Sequence, residues 1–172
     1  MTKPVVNIAD IEFRPRAASV AVPATAAERF DAKFARVGLL VGAKQLGYNI
    51  TAVPPGKRAF PRHSHRVNEE MFFVLQGTGE VRIGADTYAL RAGDVVACLA
   101  GGPETAHQII NTGQQELRYL AASTQRAPEI WEYPDSGKFG VIAEFPAPGA
   151  PHSAVFLHFG RRDDGVDYWD RE

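Results

Sequence analysis

Short runs of alternating apolar and polar residues fill the middle of the chain, between residues 44 and 124. A period of two is typical of half-buried β-strands, and clusters of Gly and Pro separate the runs. No helix-length periodic segment lies between them, which favours antiparallel hairpins in a sandwich or barrel over a parallel sheet. The pattern predicts strands at 45–53, 58–65, 70–76, 79–83, 87–91, 94–99, 107–111 and 117–124.

The segment before this region, residues 1–43, has a mixed character and is expected to form an N-terminal arm. Thr25-Ala26-Ala27-Glu28 has the form of a capping box, which marks the start of many helices. It predicts a short helix that would bring Phe30 and Phe34 together at i,i+4 spacing.

The segment after it, residues 125–172, contains two more apolar runs, at 139–145 and 154–159. It is expected to pack as a C-terminal extension on the barrel or on a partner. A chain of 172 residues is long enough for one well-cored domain, so residues 44–124 would form the barrel of an all-β protein.

Composition excludes several classes of function. The net charge is −1 and no long run of like charges occurs, so the basic surface of a nucleic-acid binder is missing. No apolar stretch approaches the ~18 residues of a membrane span, and the first residues lack the apolar core of a secretory signal, which predicts a soluble, cytoplasmic protein. Cys98 is the only cysteine and lies in an apolar run, so it is expected to be a buried core residue.

Candidate chemistry begins at His63-Ser64-His65. Alternate side chains of a strand share a face, so both imidazoles can point into one cavity, as a metal chelate requires. Glu70 has the wrong parity for the same strand, so the intervening residues must bend the chain and return the carboxylate from the next strand. By itself, a His-x-His pair is more often a surface or packing feature than a metal site.

His107 opens a later short strand and could reach the same cavity from the opposite sheet. Three imidazoles and one carboxylate suit one divalent ion per chain, such as Fe, Mn, Co, Ni, Cu or Zn. Two positions of an octahedral ion would stay open for a substrate oxygen pair, water or dioxygen.

The segment from Gly56 to Asn111 resembles the two motifs of the cupin superfamily. The first motif is matched by Gly56, His63, His65, Glu70 and Gly77, and the second by Gly93-Asp94, Gly101, His107 and Asn111. Glu70, rather than Glu69, has the six-residue spacing to Gly77. The stretch before His107 is about three residues longer than usual, which makes His107 the least secure ligand.

The resemblance implies a double-stranded β-helix, the cupin jelly-roll barrel, with N- and C-terminal extensions. The tail is similar to that of single-domain bacterial cupins of undefined function, some of which carry a provisional sugar-phosphate isomerase label. Three hypotheses follow: an enzyme of isomerase or dioxygenase type acting on a small polar molecule such as a sugar, sugar phosphate or organic acid; a non-catalytic metal-containing sensor or binding module; and a structural dimer module.

Other residues are predicted to surround the site. Phe72, Val74 and Ile109 share strand parity with the presumed ligands and are expected to line the pocket, with core packing as the equal alternative. Arg58, Arg62 and Arg66 flank the histidines and could hold an anion, although an exposed charged loop is the stronger expectation.

The sequence says less about the roles of Tyr48, Asn49, His152 and His158. Tyr48 or Asn49 could add a polar group to the pocket, since no ligand fixes the parity of their strand. His152 and His158 lie outside the motifs and are expected to be surface or packing residues.

An apolar row on the far face of the Glu70 strand predicts a homodimer. Met71, Phe73 and Leu75 point away from the presumed metal pocket and must be covered by another layer or by a second copy. Both faces of this strand are therefore expected to be buried. The competing expectation is that the terminal segments cover the row within one chain.

Overall fold

A computed structural model describes residues 4–17, 21–145 and 155–172 of the chain. Antiparallel β-strands dominate this part of the molecule, and one short α-helix precedes the third strand. The strands are β1 (Arg14–Pro15), β2 (Lys33–Ala35), β3 (Leu46–Val53), β4 (Ser64–His65), β5 (Glu70–Gln76), β6 (Thr78–Ile83), β7 (Asp86–Arg91), β8 (Val95–Cys98), β9 (His107–Ile110), β10 (Leu117–Thr124), β11 (Glu129–Tyr133), β12 (Lys138–Ile142) and β13 (Leu157–Arg161), and the helix is α1 (Val37–Val41).

The described strands form three antiparallel sheets. A six-stranded sheet has the order β1-β2-β3-β10-β5-β8, a three-stranded sheet the order β7-β6-β9, and a four-stranded sheet the order β13-β12-β11-β4. The main core cluster combines residues of the six-stranded and three-stranded sheets, so these two sheets pack face to face. Its buried members include Val53, Phe72, Val74, Val81, Leu90, Ile109, Leu117 and Tyr119.

Seven of the eight predicted strands occur within a residue or so of their expected bounds. The strand at 58–65 was wrong over most of its length, because only Ser64–His65 is a strand. Arg58 and His63 form isolated bridges on either side of Pro61, which has no backbone N–H to donate to a ladder. This segment is therefore an irregular wall of the barrel.

The tight return from β5 to β6 depends on Gly77. Its φ is +83°, a left-handed conformation that L side chains rarely adopt. A Cβ built at this position would lie only 2.7 Å from the Glu116 carbonyl oxygen. The positive φ and the close carbonyl oxygen explain why a glycine occupies this position of the first motif.

The N-terminal arm differs from its prediction. Residues 24–29 form turns rather than a helix, and Phe30 and Phe34 lie in a β-bridge and in β2. The capping-box sequence is present, but no amphipathic face follows it that packing could stabilise. The arm instead supplies Val6, Ile11 and Phe13 to a second apolar cluster.

The outer face of β5 is only partly covered, which corrects the expectation that both faces are buried. Leu75 packs in the second apolar cluster beside residues of the N-terminal arm. Phe73 is half-buried, and Met71 is 36% exposed. The inner face behaves as expected, since Phe72 and Val74 are buried.

The C-terminal segment extends the barrel with β11, β12 and β13, and β11 pairs with β4, which carries His65. β11 lies outside the runs expected at 139–145 and 154–159. Cys98 is buried in the main core as predicted, and burial and the nearby Glu70 charge raise its pKa to about 12. Within the described ranges, no helix has the length and apolarity needed to cross a membrane.

Candidate metal centre

His63 and His107 face each other across a narrow antiparallel bridge. The His107 amide donates to the His63 carbonyl at 2.8 Å, and the His63 amide donates to the His107 carbonyl at 3.1 Å. Residues paired in this way project their side chains from the same face of the ladder. The two rings accordingly lie with their centroids 4.9 Å apart.

His65 and Glu70 complete the group from neighbouring strands. His65 ends β4, and its ring centroid lies 5.0 Å from that of His63. Glu70 begins β5, and its Oε2 lies 2.9 Å from His107 Nε2 and 3.5 Å from His65 Nε2. The bend expected between His65 and Glu70 is therefore present and returns the carboxylate toward the imidazoles.

The geometry of this group fits a divalent metal ion. One ligand atom from each of the four residues can be chosen so that all lie within 4.8 Å of one another. Both ring nitrogens of His65 are buried, and each lies 3.5 Å from a carboxylate oxygen, Nε2 from Glu70 and Nδ1 from Glu129, so Nε2 makes only a long contact that a metal ion could replace. Imidazole and carboxylate donors suit the first-row transition ions expected from the sequence.

Each imidazole is oriented by an oxygen on its Nδ1 side. His63 Nδ1 lies 2.9 Å from the Pro61 carbonyl, and His107 Nδ1 lies 3.4 Å from the Thr105 carbonyl. His65 Nδ1 lies 3.5 Å from the Glu129 carboxylate. An acceptor at Nδ1 favours the tautomer in which Nε2 is free to bind a metal.

The electrostatics of the group favour a cation. Burial lowers the pKa of His63 to about 4, and the neighbouring His107 adds to this shift. Burial would also lower the pKa of His65, but the carboxylates of Glu129 and Glu70 outweigh it and raise this pKa to about 9. Burial opposes ionisation of Glu70, yet contacts with His107 and His65 hold its pKa well below the usual range. An anionic carboxylate therefore stands among the imidazoles.

Glu129 was not found by sequence reasoning. Its side chain is fully buried, and its carboxylate accepts hydrogen bonds from the backbone amides of Arg66, Val67 and Asn68 at 2.9–3.1 Å. The Asn68 side chain and the Ile130 amide donate to it as well. Glu129 thus fixes the loop that follows His65 and also approaches the His65 ring.

The long approach to His107 is ordered by local hydrogen bonds. Pro103–Thr105 form a single 3-10 turn, and the Gly101 amide donates to the His65 carbonyl at 2.7 Å. The additional residues noted in the sequence are accommodated in this stretch, and His107 still reaches the other three side chains.

A cavity of about 480 Å³ opens beside the four residues. Its size is in the range of pockets that hold small organic ligands. The remaining lining is mostly aromatic or aliphatic and comes from both the barrel and the C-terminal strands. These residues are Asn49, Phe60, Phe72, Gln108, Ile109, Tyr119, Ala121, Trp131, Tyr133, Leu157 and Phe159.

Two of the three predicted lining residues, Phe72 and Ile109, lie on this cavity. Val74 does not line the cavity, because it lies two residues further along β5 and is buried in the main core. Of the two polar candidates on β3, Asn49 lines the cavity, whereas Tyr48 packs against the second apolar cluster.

The three arginines proposed as an anion site do not line the cavity. Arg62 contacts Asp135 at 3.1 Å and Arg66 contacts Glu132 at 2.5 Å. The backbone of Arg58 bridges Phe30 and Ile110. These interactions agree with the stronger expectation from the sequence, a charged loop, and anion binding by the three arginines stays a prediction. His158 is exposed, and His152 lies outside the described residues.

The described strands thus form an antiparallel barrel in which three imidazoles and one carboxylate, a candidate metal centre, lie on the wall of a cavity. Residues 49–123 match the family model described as Cupin domain. The matched region is 75 of the 172 residues, so this part of the chain is similar to the cupin domain, and the fold is the double-stranded β-helix of cupins.

Solved structures share this fold. A sugar phosphate isomerase from a cupin superfamily of Silicibacter pomeroyi aligns with a TM-score of 0.76 and 23% identity, over 97% of this chain and 98% of its own. The polyketide cyclase RemF of Streptomyces resistomycificus aligns with a TM-score of 0.56 and 20% identity, over 75% of this chain and 84% of its own. Similarity at these identities shows the double-stranded β-helix rather than an activity.

A curated relative is similar in sequence over a shorter region. The uncharacterized protein MJ1618 of Methanocaldococcus jannaschii is 30% identical over 71 residues, which are 41% of this chain. The matched region spans 54% of that protein, so the chain covers about half of the length of this relative.

Proposed function

We propose that this cupin domain binds one divalent metal ion through His63, His65, Glu70 and His107, and that it acts on a small organic molecule held in the adjoining cavity. The convergence of four ligand atoms within 4.8 Å on the wall of a 480 Å³ cavity carries this proposal. Four protein ligands leave an octahedral ion two positions for exogenous molecules. The site therefore suits catalysis or ligand binding better than a purely structural role.

The lining of the cavity favours oxygenase-type chemistry over isomerisation. An isomerase needs a general base beside the substrate carbon, in addition to the ion. Among the described lining residues, the titratable groups besides the four proposed ligands are Tyr119 and Tyr133. Burial raises the pKa of both hydroxyls, that of Tyr133 to about 12, so neither serves as a base near neutral pH.

A sugar phosphate is also a poor fit to this lining. Enzymes hold phosphate with arginine, lysine or clustered backbone amides. No arginine or lysine lines the cavity within residues 4–17, 21–145 and 155–172. A redox-active ion would supply the reactive centre, while the protein residues position the organic molecule and exclude bulk water.

The proposed reaction class is tested with protein loaded with Fe(II) under argon. Nitric oxide, a stable substitute for dioxygen, should give the electron paramagnetic resonance signal of a high-spin ferrous nitrosyl when a coordination position is open. Absence of the signal in protein that holds one iron per chain would exclude an oxygen-activating site. If the signal forms but the protein consumes no dioxygen in the presence of any aromatic or organic-acid compound tested, the sensor hypothesis is favoured.

Removal of the metal should leave the barrel folded. The main core buries apolar residues from the six-stranded and the three-stranded sheets, and none of the four proposed ligands belongs to it. Protein treated with a chelator should keep its β-sheet circular dichroism. Adding back the metal at about a hundredfold over its dissociation constant should raise the free energy of unfolding by about 2.7 kcal/mol, measured by urea titration. Complete unfolding on gentle chelation would contradict this expectation.

The outer face of the six-stranded sheet supports the proposal of a homodimer. β8 is an edge strand of this sheet, and its Val95 is 66% exposed beside the half-buried Phe73 of β5. Met71 and Leu99 add further exposed apolar area near the same edge. An edge strand with uncovered apolar side chains is a surface that a second copy can cover.

Light scattering coupled to size exclusion tests this proposal. The wild type should have twice the mass of one chain at micromolar concentration, and Val95→Glu should shift it toward the monomer. Val166→Glu is the control, because Val166 is 78% exposed and lies in the C-terminal tail. A wild-type monomer at micromolar concentration would remove the dimer proposal.

A further inference from the structure

Aromatic side chains form most of the cavity wall that is not made by the four proposed ligands. Trp131 and Phe159 stack with an interplanar angle of 16° and a centroid distance of 6.3 Å, and Tyr133 stacks on the ring of His63 at 5.9 Å. The wall continues through Phe60, Phe72 and Tyr119. Rings aligned along one cavity suit a flat ligand that can stack on them or meet their edges.

Phe159 identifies the open side of this wall. It is 52% exposed although it lines the cavity and packs against Trp131 and Tyr133. An apolar ligand in the cavity would cover part of this ring and remove its apolar surface from water.

Besides the hydroxyls of Tyr119 and Tyr133, two amides add polar groups to the lining. Asn49 accepts a hydrogen bond from the Thr51 hydroxyl at 2.9 Å through its side-chain oxygen, so its NH₂ group is the part that can donate to a ligand. Gln108 is 4% exposed, and its Nε2 donates to the Phe60 carbonyl at 2.8 Å. This bond fixes the orientation of the amide, and its buried Oε1 has no hydrogen-bond partner among the described residues. Asn49 is therefore the amide that can contact a ligand directly, whereas Gln108 holds the wall in place.

From these walls we infer that the ligand is a planar aromatic molecule that carries two neighbouring oxygen atoms. The aromatic walls take the ring system, and the NH₂ group of Asn49 donates to an oxygen of the ligand. The oxygen pair would take the coordination positions that the four proposed ligands leave open, and this part of the inference rests on the proposed function. Because no arginine or lysine of the described residues lines the cavity, the ligand carries no phosphate.

Calorimetric titration of the full-length protein tests the inference with three probes. The protein is first loaded under argon with one Mn(II) per chain, because this ion favours six ligands, and the loading is verified by elemental analysis. 2,3-Dihydroxynaphthalene has the ring system and the oxygen pair, 2-naphthol has the ring system with one oxygen, and glucose 6-phosphate represents the sugar phosphates. We expect the diol to bind at least about tenfold more tightly than 2-naphthol, and glucose 6-phosphate to give no heat of binding.

A matched pair of variants tests whether the aromatic wall is the binding surface. Phe159→Ala should weaken both naphthalene probes by about tenfold, because it removes a stacking partner and buried area. Phe156→Ala is the control, since Phe156 is 65% exposed, lies close in sequence, and does not line the cavity. Trp131→Leu provides a second variant, and thermal melts establish that each protein is folded.

The outcomes separate this inference from the proposed function. Stoichiometric manganese together with tighter binding of glucose 6-phosphate than of the diol, or an unchanged diol affinity in Phe159→Ala, overturns the aromatic inference and leaves the metal proposal standing. A chain that holds no divalent ion overturns the proposed function. The aromatic part then stands if 2-naphthol still binds with dependence on Phe159, and it falls if 2-naphthol does not bind.

Discussion

Replacing His63 and His65 together by alanine is expected to abolish stoichiometric metal binding and to leave the barrel folded. The change removes two of the four residues whose ligand atoms lie within 4.8 Å of one another. A four-ligand zinc site contributes about 10–16 kcal/mol, so the loss of two ligands should weaken binding by about three orders of magnitude or more. The fold should persist because both rings project into the cavity and neither belongs to the apolar core cluster.

Elemental analysis of protein purified without an affinity tag provides the measurement. The wild type should hold roughly one divalent ion per chain, and the double variant less than a tenth of that amount. His158→Ala is the control, because His158 is exposed on β13 and lies away from the cavity lining. Full occupancy in a folded double variant would refute the assignment of the ligands.

Local patterns in the sequence predicted the barrel because its strands alternate cleanly and end at turn residues. β10 occupies residues 117–124 as expected, and β5 occupies 70–76. The same alternation predicted that Phe72 would share a face with Glu70, and both line the cavity. The period-two alternation and the turn residues between strands are local properties, so they can be recognised without knowledge of the tertiary fold.

The segment that carries the first two histidines shows the limit of that reasoning. Residues 58–65 were predicted as one strand, but Pro61 interrupts the ladder and leaves two isolated bridges. His63 faces the cavity because its backbone pairs with His107, 44 positions later in the chain. A pairing at this separation is set by tertiary structure and has no local signal.

β11 was missed although its sequence carried a usable signal. Glu129-Ile130-Trp131-Glu132-Tyr133 contains three residue types with high β-propensity between Pro128 and the turn at Pro134-Asp135. Two of these residues, Trp131 and Tyr133, line the cavity. Their position on the wall could not be inferred, because it depends on the pairing of β11 with β4.

The role of Glu129 at the site could not be predicted from the sequence for a different reason. Glutamate is rarely fully buried unless it is paired, so an unassigned glutamate is expected on the surface. The exposed fraction of Glu129 is 0%. Its carboxylate can be buried because four backbone amides and the side-chain amide of Asn68 donate hydrogen bonds to it. All of those donors except the adjacent Ile130 amide come from a loop about 60 residues earlier in the chain.

Glu129→Gln is expected to weaken metal binding by about 10- to 100-fold, which is the usual effect of losing a carboxylate that orients a metal-binding imidazole. The Glu129 carboxylate lies 3.5 Å from His65 Nδ1, where its charge favours a proton on Nδ1 and leaves Nε2 for the metal. A neutral amide in this place removes the charge and offers an NH₂ group that cannot accept from the ring. Competition with a chromogenic chelator measures the affinity without requiring a substrate.

The same substitution should lower the free energy of unfolding by about 2–4 kcal/mol. Hydrogen bonds to a charged group contribute about 1.5–3 kcal/mol, and the glutamine amide cannot accept from all the backbone donors around it. Glu132→Gln is the matched control, because Glu132 lies on the same strand, is 7% exposed, and pairs with Arg66 and Arg162 instead of His65. We expect this control to change the metal affinity by less than about threefold.

The two readouts distinguish a positioning role of Glu129 from a purely structural one. Metal affinity is measured at a temperature where urea titration shows both variants to be folded, so lost stability cannot account for weaker binding. If Glu129→Gln lowers the unfolding free energy and leaves metal affinity at the level of the Glu132→Gln control, Glu129 only holds the loop at residues 66–68. If the affinity falls as expected, the contact between Glu129 and His65 is part of the metal centre, and the C-terminal strands contribute to the site as well as to the cavity wall.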